Sequence, residues 1–241
     1  RMLIPWGGAS LVYLLALLFS VFSMNANSLI HYPIEPYIFG SEPVDLFFSL
    51  FVTVPFTWPI YFLRKDNFLQ YVSMRIEPKT YLGIQVFTSL TLCFLMILLV
   101  NIAGVAFSLN IADVITNTQG YFLTDYILGD IQMANPLKFG TLWSFYKACI
   151  GTLICLLGQI FAYHVKNLFY ALLAPFAFVI LEGFLTDVTG LSRFSFTTTF
   201  VPNRLAPKAM TIGNLAVGLS VFVIAIIVAS KTLSRHDQSD N

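Results

Sequence analysis

The sequence predicts an all-α protein whose helices cross a lipid bilayer, and three observations support this fold class. Hydrophobic residues make up 57% of the 241 residues and charged residues only 10%, whereas soluble domains are about 45–50% apolar and about 25% charged. The mean hydropathy is +0.79. The apolar residues lie in long runs, which favour helices because backbone in lipid must satisfy its own hydrogen bonds. We therefore expect a polytopic membrane protein with one transmembrane domain over residues 1–241.

Six apolar runs are candidates for membrane-spanning helices, because a bilayer core of about 30 Å requires about 20 helical residues. They cover residues 3–24, 44–63, 81–107, 148–165, 168–181 and 209–230. The second run contains Pro55 and Pro59, and the third is the longest. The fifth run is short, since Glu182 ends it after about 14 residues, and Pro175 lies at its middle. The sequence thus predicts a bundle of six helices.

The segment between the second and third spans predicts a short amphipathic helix over about 66–77. Asp66 is a good N-cap and Pro78 ends the run. The apolar residues between them fall on one helical stripe: Phe68, Leu69, Val72 and Ile76. Such a helix either lies on the membrane surface or inserts into a groove on a cytoplasmic partner. The residues alone leave both interpretations open.

The segment after the fifth span predicts a re-entrant region between spans five and six. It is semi-apolar, and Gly183 and Gly190 interrupt it. Glu182 then lies near the outer part of the bundle, either on a path for transported molecules or at the water interface. Polar residues inside the spans either bond across helices or line such a path. The candidates for that path are Glu182, Asn101, Gln159 and Asn214.

The distribution of lysine and arginine predicts that both termini are cytoplasmic. With the N-terminus inside, the inner segments carry eight Lys or Arg residues and the much longer outer segments carry five. Cytoplasmic loops are enriched in these residues. This count places Lys147 in an outer segment and Asp45 at the outer end of the second span. An even number of spans agrees with two cytoplasmic termini.

The sequence contains no signature of catalysis, so we expect no enzyme activity in this chain. It lacks a P-loop, an H-E-x-x-H pair and a G-x-S-x-G turn. Its three histidines are isolated, and its three cysteines show no metal or disulfide spacing. We expect no metal site and no cofactor bound to this chain. The net charge of +1, without a basic tract, argues against a nucleic-acid partner.

This layout resembles the permease subunit of an ABC-2 type transporter. Arg64–Pro78 matches the coupling helix of that family, and Leu168–Leu191 matches its fifth helix and re-entrant hairpin. The resemblance covers nearly the whole chain, but it is one of layout, because the family has no short diagnostic motif. Members also have an amphipathic interfacial helix before the first span, whereas only Arg1 and Met2 precede that span here; either the element has been trimmed or the assignment at this end is wrong.

The resemblance implies a transmembrane subunit of an ATP-driven exporter in a bacterial cell membrane. Two separate ATPase subunits, which hold ATP and magnesium, would dock on the cytoplasmic face, and a second permease copy or paralogue would complete the transporter. The cargo would be a peptide, a lipid or another amphipathic compound. The residues that would dock the ATPase are Phe68, Leu69, Tyr71, Val72 and Arg75.

Other classes of function stay open. A channel or a component of a secondary transporter would show inverted repeats, and spans one to three do not resemble spans four to six. An integral membrane enzyme or accessory protein would need ionisable groups gathered at one depth. The residues that could converge at the outer face are Glu35, Glu42, Asp45 and Glu182. A membrane protein that only binds a partner is a further alternative.

Overall fold

The computed structural model describes residues 3–66, 68, 72, 74–114, 126–201 and 211–239. The regular elements within these residues are helices. In addition, one isolated β-bridge pairs Ile30 with Val114. In chain order the helices are α1 (Leu3–Asn27), α2 (Glu35–Asp45), α3 (Phe48–Lys65), α4 (Pro78–Ile111), α5 (Gly129–Ala134), α6 (Pro136–His164), α7 (Leu168–Val188), α8 (Phe196–Phe200) and α9 (Ile212–Ser239). A 3₁₀ turn, Ser192–Phe194, precedes α8.

Five helices among the described residues are long and apolar enough to cross a membrane: α1, α4, α6, α7 and α9. Helices α2 and α3 together pass the same test, but they are bent by 57° at the break between them. The predicted all-helical membrane bundle is therefore confirmed. The count of six spans is reached if the bent pair α2–α3 is one broken span.

Several predicted boundaries differ from the structure. The outer segment before the second span is not a loop throughout, because Glu35–Asp45 forms α2. The fourth span begins at Pro136, so Lys147 lies inside α6 and not in an outer segment. The fifth span is not short: α7 continues through Glu182 to Val188 and is 21 residues long. Pro175 lies within α7 without ending it.

Helix α6 lies at the centre of the bundle and packs against α3, α4, α7 and α9. Small residues allow the close approach on the α3 side. A Cβ atom added to Gly158 would lie 2.8 Å from Thr57 Oγ1 and 3.0 Å from Thr53 Cγ2. A Cβ atom added to Gly151, two turns earlier on the same face, would lie 3.0 Å from Phe48 Cζ and 3.3 Å from Val52 Cγ1. The two helices are thus held in contact by steric fit.

Helices α1 and α2 form a second closely packed pair. Gly40 of α2 lies directly on the α1 backbone, since an added Cβ atom would be 2.8 Å from Val21 Cα. At the far end of α1, the Asn25 amide donates to the carbonyl of Ile111, the last residue of α4. Near its start, Trp6 Nε1 donates to the carbonyl of Leu92, in the middle of α4. Helix α4 therefore extends beyond the start of α1: at 1.5 Å per residue, Pro78 lies about 21 Å from Leu92, whereas Leu3 lies only about 4.5 Å from Trp6.

One end of the bundle gathers the end of α3, the start of α4, the end of α6 and the start of α7. We call it the basic end, because the described residues there include four basic ones, Arg64, Lys65, Arg75 and Lys166, and two acidic ones, Asp66 and Glu77. The opposite end holds the last residues of α1 and α4, together with α2, α5 and the start of α6. The described charges are thus distributed asymmetrically along the bundle.

The chain after α7 returns to pack on the bundle. Phe196 and Phe200 of α8 are buried, and the Phe196 ring stacks on Phe222 of α9 with centroids 3.9 Å apart. Helix α8 also contacts α6 and α7. The full course of the predicted re-entrant region stays a prediction, because residues 202–210 lie outside the described residues.

Candidate functional site

An ion pair lies buried inside the bundle. The Lys147 ammonium group on α6 donates to the Asp45 carboxylate at 2.7 Å, and neither side chain exposes more than 1% of its surface. Asp45 is the last residue of α2, so the pair lies at the bend between α2 and α3. Ionisable groups are rare inside transmembrane bundles, where they need a partner and mark candidate functional positions.

A chain of buried polar groups continues from this pair. The Lys147 ammonium group lies 5.8 Å from the centroid of the Tyr37 ring. The Tyr37 hydroxyl donates to Asn101 Oδ1 at 2.9 Å, and Asn101 Nδ2 donates to the Tyr13 hydroxyl at 3.1 Å. Four helices, α1, α2, α4 and α6, each contribute to this network. It ties the broken segment α2–α3 to the rest of the bundle.

This site was not predicted, because Lys147 was placed in an outer segment and Asp45 at the outer end of the second span. A charged residue usually marks the end of an apolar run, and Lys147 was interpreted in that way. One signal was present: apolar and aromatic residues flank Lys147 on both sides, from Trp143 to Ile150. A lysine within such a run requires a buried acidic partner. Only the fold shows that Asp45 is that partner.

The four residues predicted to line a path have different surroundings. Asn101 belongs to the buried network described above. Gln159 of α6 is buried, and its amide nitrogen lies 3.5 Å from Cys155 Sγ. Its Oε1 atom has no hydrogen-bond donor among the described residues. Asn214 is half-buried near the start of α9. A role of these residues in transport stays a prediction.

Glu182, the fourth of them, anchors the segment after α7. Its carboxylate accepts hydrogen bonds from the Ser195 hydroxyl at 2.9 Å, the Phe196 amide at 2.9 Å and the Thr197 hydroxyl at 3.4 Å. Negative charge and carboxylate oxygens are favourable at a helix start, where backbone N–H groups lack partners. This explains how α7 continues through a charged residue. Glu182 connects α7 to the first turn of α8.

The basic end is held together by bonds between α3 and the turn from α6 to α7. The Arg64 guanidinium donates to the backbone carbonyls of Tyr163 and Val165. The Tyr61 hydroxyl donates to the Lys166 carbonyl at 2.8 Å. Carbonyls at the end of a helix lack intrahelical partners, and a cation there is stabilising. These bonds tie the end of α3 to the end of α6 and to the turn before α7.

The connection from α3 to α4 carries the predicted docking residues. Phe68 and Val72 are helical, whereas residues 74–75 form a turn. Phe68 is 45% exposed, and the centroid of its ring lies 6.2 Å from that of Tyr81. Val72, in contrast, is buried. Arg75 is exposed. Leu69 and Tyr71 lie outside the described residues.

Two further apolar side chains are exposed on this connection. Met74 is 80% exposed and Ile76 is 51% exposed. With Phe68 they form what we call the apolar tip, defined as Phe68, Met74 and Ile76. The spacing in the sequence predicts that Ile76 and Val72 share one helical stripe. In the structure Val72 is buried whereas Ile76 is exposed, so the two do not belong to one surface. Met74 was not predicted, because it lies off that stripe.

No family model, no curated protein and no solved structure matches this chain. The fold and the site therefore define its class directly. Several helices long and apolar enough to cross a membrane indicate a polytopic helical membrane protein.

Proposed function

We propose that this chain is the membrane-spanning subunit of an ABC-2 type exporter, with ATP hydrolysis supplied by a separate subunit. The observation that carries the proposal is the exposed apolar tip at the basic end of the bundle. Large apolar side chains exposed on a connection between two helices are candidates for contact with another protein. The proposed cargo is a peptide, a lipid or another amphipathic compound.

The contacts at the basic end suggest how a docked ATPase would move the bundle. The apolar tip joins α3 to α4, and Arg64 joins α3 to the carbonyls that end α6. A force applied at the tip would reach all three helices together. The bend between α2 and α3, at Asp45, lies farther along the same path and would absorb part of the motion.

Within this proposal the basic end faces the cytoplasm, as the positive-inside rule favours. A cysteine at Met74 should then react with a membrane-impermeant maleimide only after the membrane is permeabilised. A cysteine at Met133, exposed in α5 at the opposite end, should react in intact cells. The background carries Cys149→Ser, because Cys149 is exposed. The reverse labelling pattern would refute the orientation.

Purification of the tagged full chain from its native membrane tests the docking proposal. We expect an ATPase subunit to co-purify, with nucleotide hydrolysis in the complex. Phe68→Asp with Met74→Asp should abolish co-purification, because charge on the tip opposes apolar contact. Met133→Asp is the matched control, an exposed methionine at the opposite end, and should leave the complex intact. An unaltered complex in the tip variant would contradict the proposal, and so would a chain that purifies without any ATPase.

The buried ion pair favours a second candidate, a component of an ion-coupled secondary transporter, because paired charges inside a bundle mark ion pathways in such proteins. This candidate predicts substrate movement that follows an ion gradient and needs no nucleotide. Reconstitution of the purified chain in vesicles, with an ion gradient and without ATP, separates the two. Gradient-driven uptake would favour this candidate over the ABC subunit.

A further inference from the structure

A groove runs along the outer side of the bundle between α1 and α3. Its larger part has a volume of 640 Å³ and is lined by Gly8 and Val12 of α1 and by Leu50, Val54 and Trp58 of α3. A smaller part of 330 Å³ continues towards the opposite end, and Phe51 borders both. Because α1 spans the membrane and α3 belongs to the bent span, the groove opens to lipid.

The larger part of the groove is connected to a positive charge at the basic end. Trp58, Phe62 and Lys65 follow one another on one face of α3. The Trp58 and Phe62 rings lie 4.8 Å apart, and the Lys65 ammonium group lies 5.7 Å from the Phe62 ring. Lys65 is exposed. The groove therefore has apolar walls, an indole at its mouth and a cation beyond the mouth.

This order matches the order of groups in an anionic phospholipid. An acyl chain prefers apolar walls, tryptophan is enriched at the level of the lipid headgroups, and basic residues just beyond attract anionic headgroups. Asp66 follows Lys65, but Arg64 precedes it, so the end of α3 keeps a net positive charge. The backbone of Lys166, which Tyr61 contacts, brings another cationic residue to this end.

The same charges disfavour a second copy of the chain in this groove. A two-fold axis along the membrane normal would place the two copies of Lys65 at the same depth and close to one another. Like charges at an interface are repulsive, and Asp66 offsets this repulsion only in part, because Arg64 and Lys65 leave the end of α3 with a net positive charge. The chemistry of the groove therefore selects a lipid.

We propose that the α1–α3 groove binds one anionic phospholipid of the leaflet at the basic end. One acyl chain lies against Gly8, Val12 and Val54, and the headgroup phosphate is held at Lys65. This site is independent of the proposed transport function, since it requires neither an ATPase nor a cargo.

Quenching of Trp58 fluorescence tests the site. The full chain is reconstituted in phosphatidylcholine vesicles that contain increasing fractions of phosphatidylglycerol with dibrominated acyl chains, which quench on contact. The signal of Trp58 is the difference between wild type and Trp58→Phe, a substitution at a half-exposed position. We expect this signal to be quenched at an about fivefold lower fraction of brominated phosphatidylglycerol than of brominated phosphatidylcholine, the effect of one basic residue at a membrane surface.

Matched variants separate the groove from general lipid contact. Gly8→Leu fills the groove and should abolish the quenching seen at low fractions of brominated phosphatidylglycerol. Gly7→Leu is the control and should leave this quenching intact, because Gly7 does not line the groove. A Cβ atom meets open space at both glycines, so the fold should accept either substitution. Lys65→Gln should remove the preference for phosphatidylglycerol while retaining quenching by both lipids. Lys138→Gln, at the opposite end, should retain the preference.

Three outcomes would overturn the proposal. The first is equal quenching by the two lipids in the wild type, and the second is quenching that Gly8→Leu leaves unchanged. The third is a groove occupied by a second copy: Trp58 would be quenched by neither lipid, and a cysteine at Val54 would cross-link two chains in a Cys149→Ser background. Quenching and cross-linking are both measured on protein that has already been reconstituted in vesicles. A variant that fails to reconstitute is therefore identified before either measurement.

Discussion

The ammonium group of Lys147 lies 2.7 Å from the carboxylate of Asp45, and the lysine side chain has no exposed surface. The pair lies where the chain bends by 57° between α2 and α3. A buried charge without its partner is costly, so each residue fixes the position of the other. The ion pair therefore fixes the chain to α6 at the point where it bends.

Removing one member of this pair should destabilise the bundle more than removing both. Lys147→Met leaves Asp45 charged and buried, which we expect to lower the free energy of unfolding by about 3–5 kcal/mol. The double variant Asp45→Asn with Lys147→Met has no buried charge and should recover most of the loss. Thermal unfolding in mild detergent measures both. Equal losses in the single and the double variant would show that the charges do not interact.

Alanine should have opposite effects at two glycines of the α1–α2 region. At Gly40 the new Cβ atom would lie 2.8 Å from Val21 Cα, and backbone cannot move aside. We expect Gly40→Ala to cost about 1–3 kcal/mol through overpacking. At Gly7 the Cβ atom meets nothing within 4 Å, so Gly7→Ala should gain up to about 1 kcal/mol of helix propensity. Equilibrium unfolding of the two variants gives the signs, and a neutral Gly40→Ala would contradict the packing of α2 on α1.

Loss of the Glu182 carboxylate should loosen the segment after α7. Glu182→Leu removes all three acceptor bonds to Ser195, Phe196 and Thr197, and leaves the Phe196 amide without its partner. Each lost partner of a buried group costs about 1–3 kcal/mol. We expect faster tryptic cleavage after Arg193, which is exposed in the 3₁₀ turn.

Thr197→Ala serves as the comparison for this variant, since it leaves the two 2.9 Å bonds to Glu182 in place and removes only the weak bonds of the Thr197 hydroxyl, to Glu182 at 3.4 Å and to the Val179 carbonyl at 3.3 Å. Its cleavage rate should lie close to that of the wild type. If Glu182→Leu is cleaved no faster than Thr197→Ala, then Glu182 does not hold the segment, and its role must be sought elsewhere.

Two adjacent basic residues at the end of α3 should contribute unequally to stability. Arg64 donates to two carbonyls at the end of α6, whereas the side-chain contact of Lys65 is with the Phe62 ring. We expect Arg64→Gln to lower the free energy of unfolding by about 1 kcal/mol and Lys65→Gln to leave it nearly unchanged. Unfolding curves of the two variants at the same detergent concentration make the comparison. A larger loss of stability in Lys65→Gln than in Arg64→Gln would contradict the assignment of the α3–α6 connection to Arg64.

The long spans could be predicted from the sequence because the hydrophobicity of a run depends only on residues that are neighbours in the chain. An unbroken apolar run such as residues 81–107 needs no partner to be recognised as a membrane helix, and α4 covers it with a few additional residues at each end. The ends of other spans were predicted wrongly where a charge lies inside the bundle. Glu182 and Lys147 were interpreted as boundaries. The Glu182 carboxylate accepts hydrogen bonds from residues 195–197, and the Lys147 ammonium group donates to Asp45, so both charges are compensated within the fold.

Helix α2 could not be predicted from its composition. Its eleven residues include two prolines, a glycine and three acidic residues, which is typical of a loop. The helix is stabilised by its environment: Gly40 packs on α1 and the Tyr37 hydroxyl bonds to Asn101. The same limit applies to the candidate site, since the partner of Asp45 is 102 residues away along the chain.

That separation has a consequence for the biogenesis of the protein. A ribosome delivers Asp45 to the membrane 102 residues before Lys147, and an aspartate within a membrane span is unfavourable without a partner. Until α6 is synthesised, the Asp45 carboxylate lacks the ammonium group with which it pairs in the folded protein. We therefore expect the α2–α3 segment to reach its final position only after α6 has been made, so that nascent chains that stop before Lys147 insert poorly.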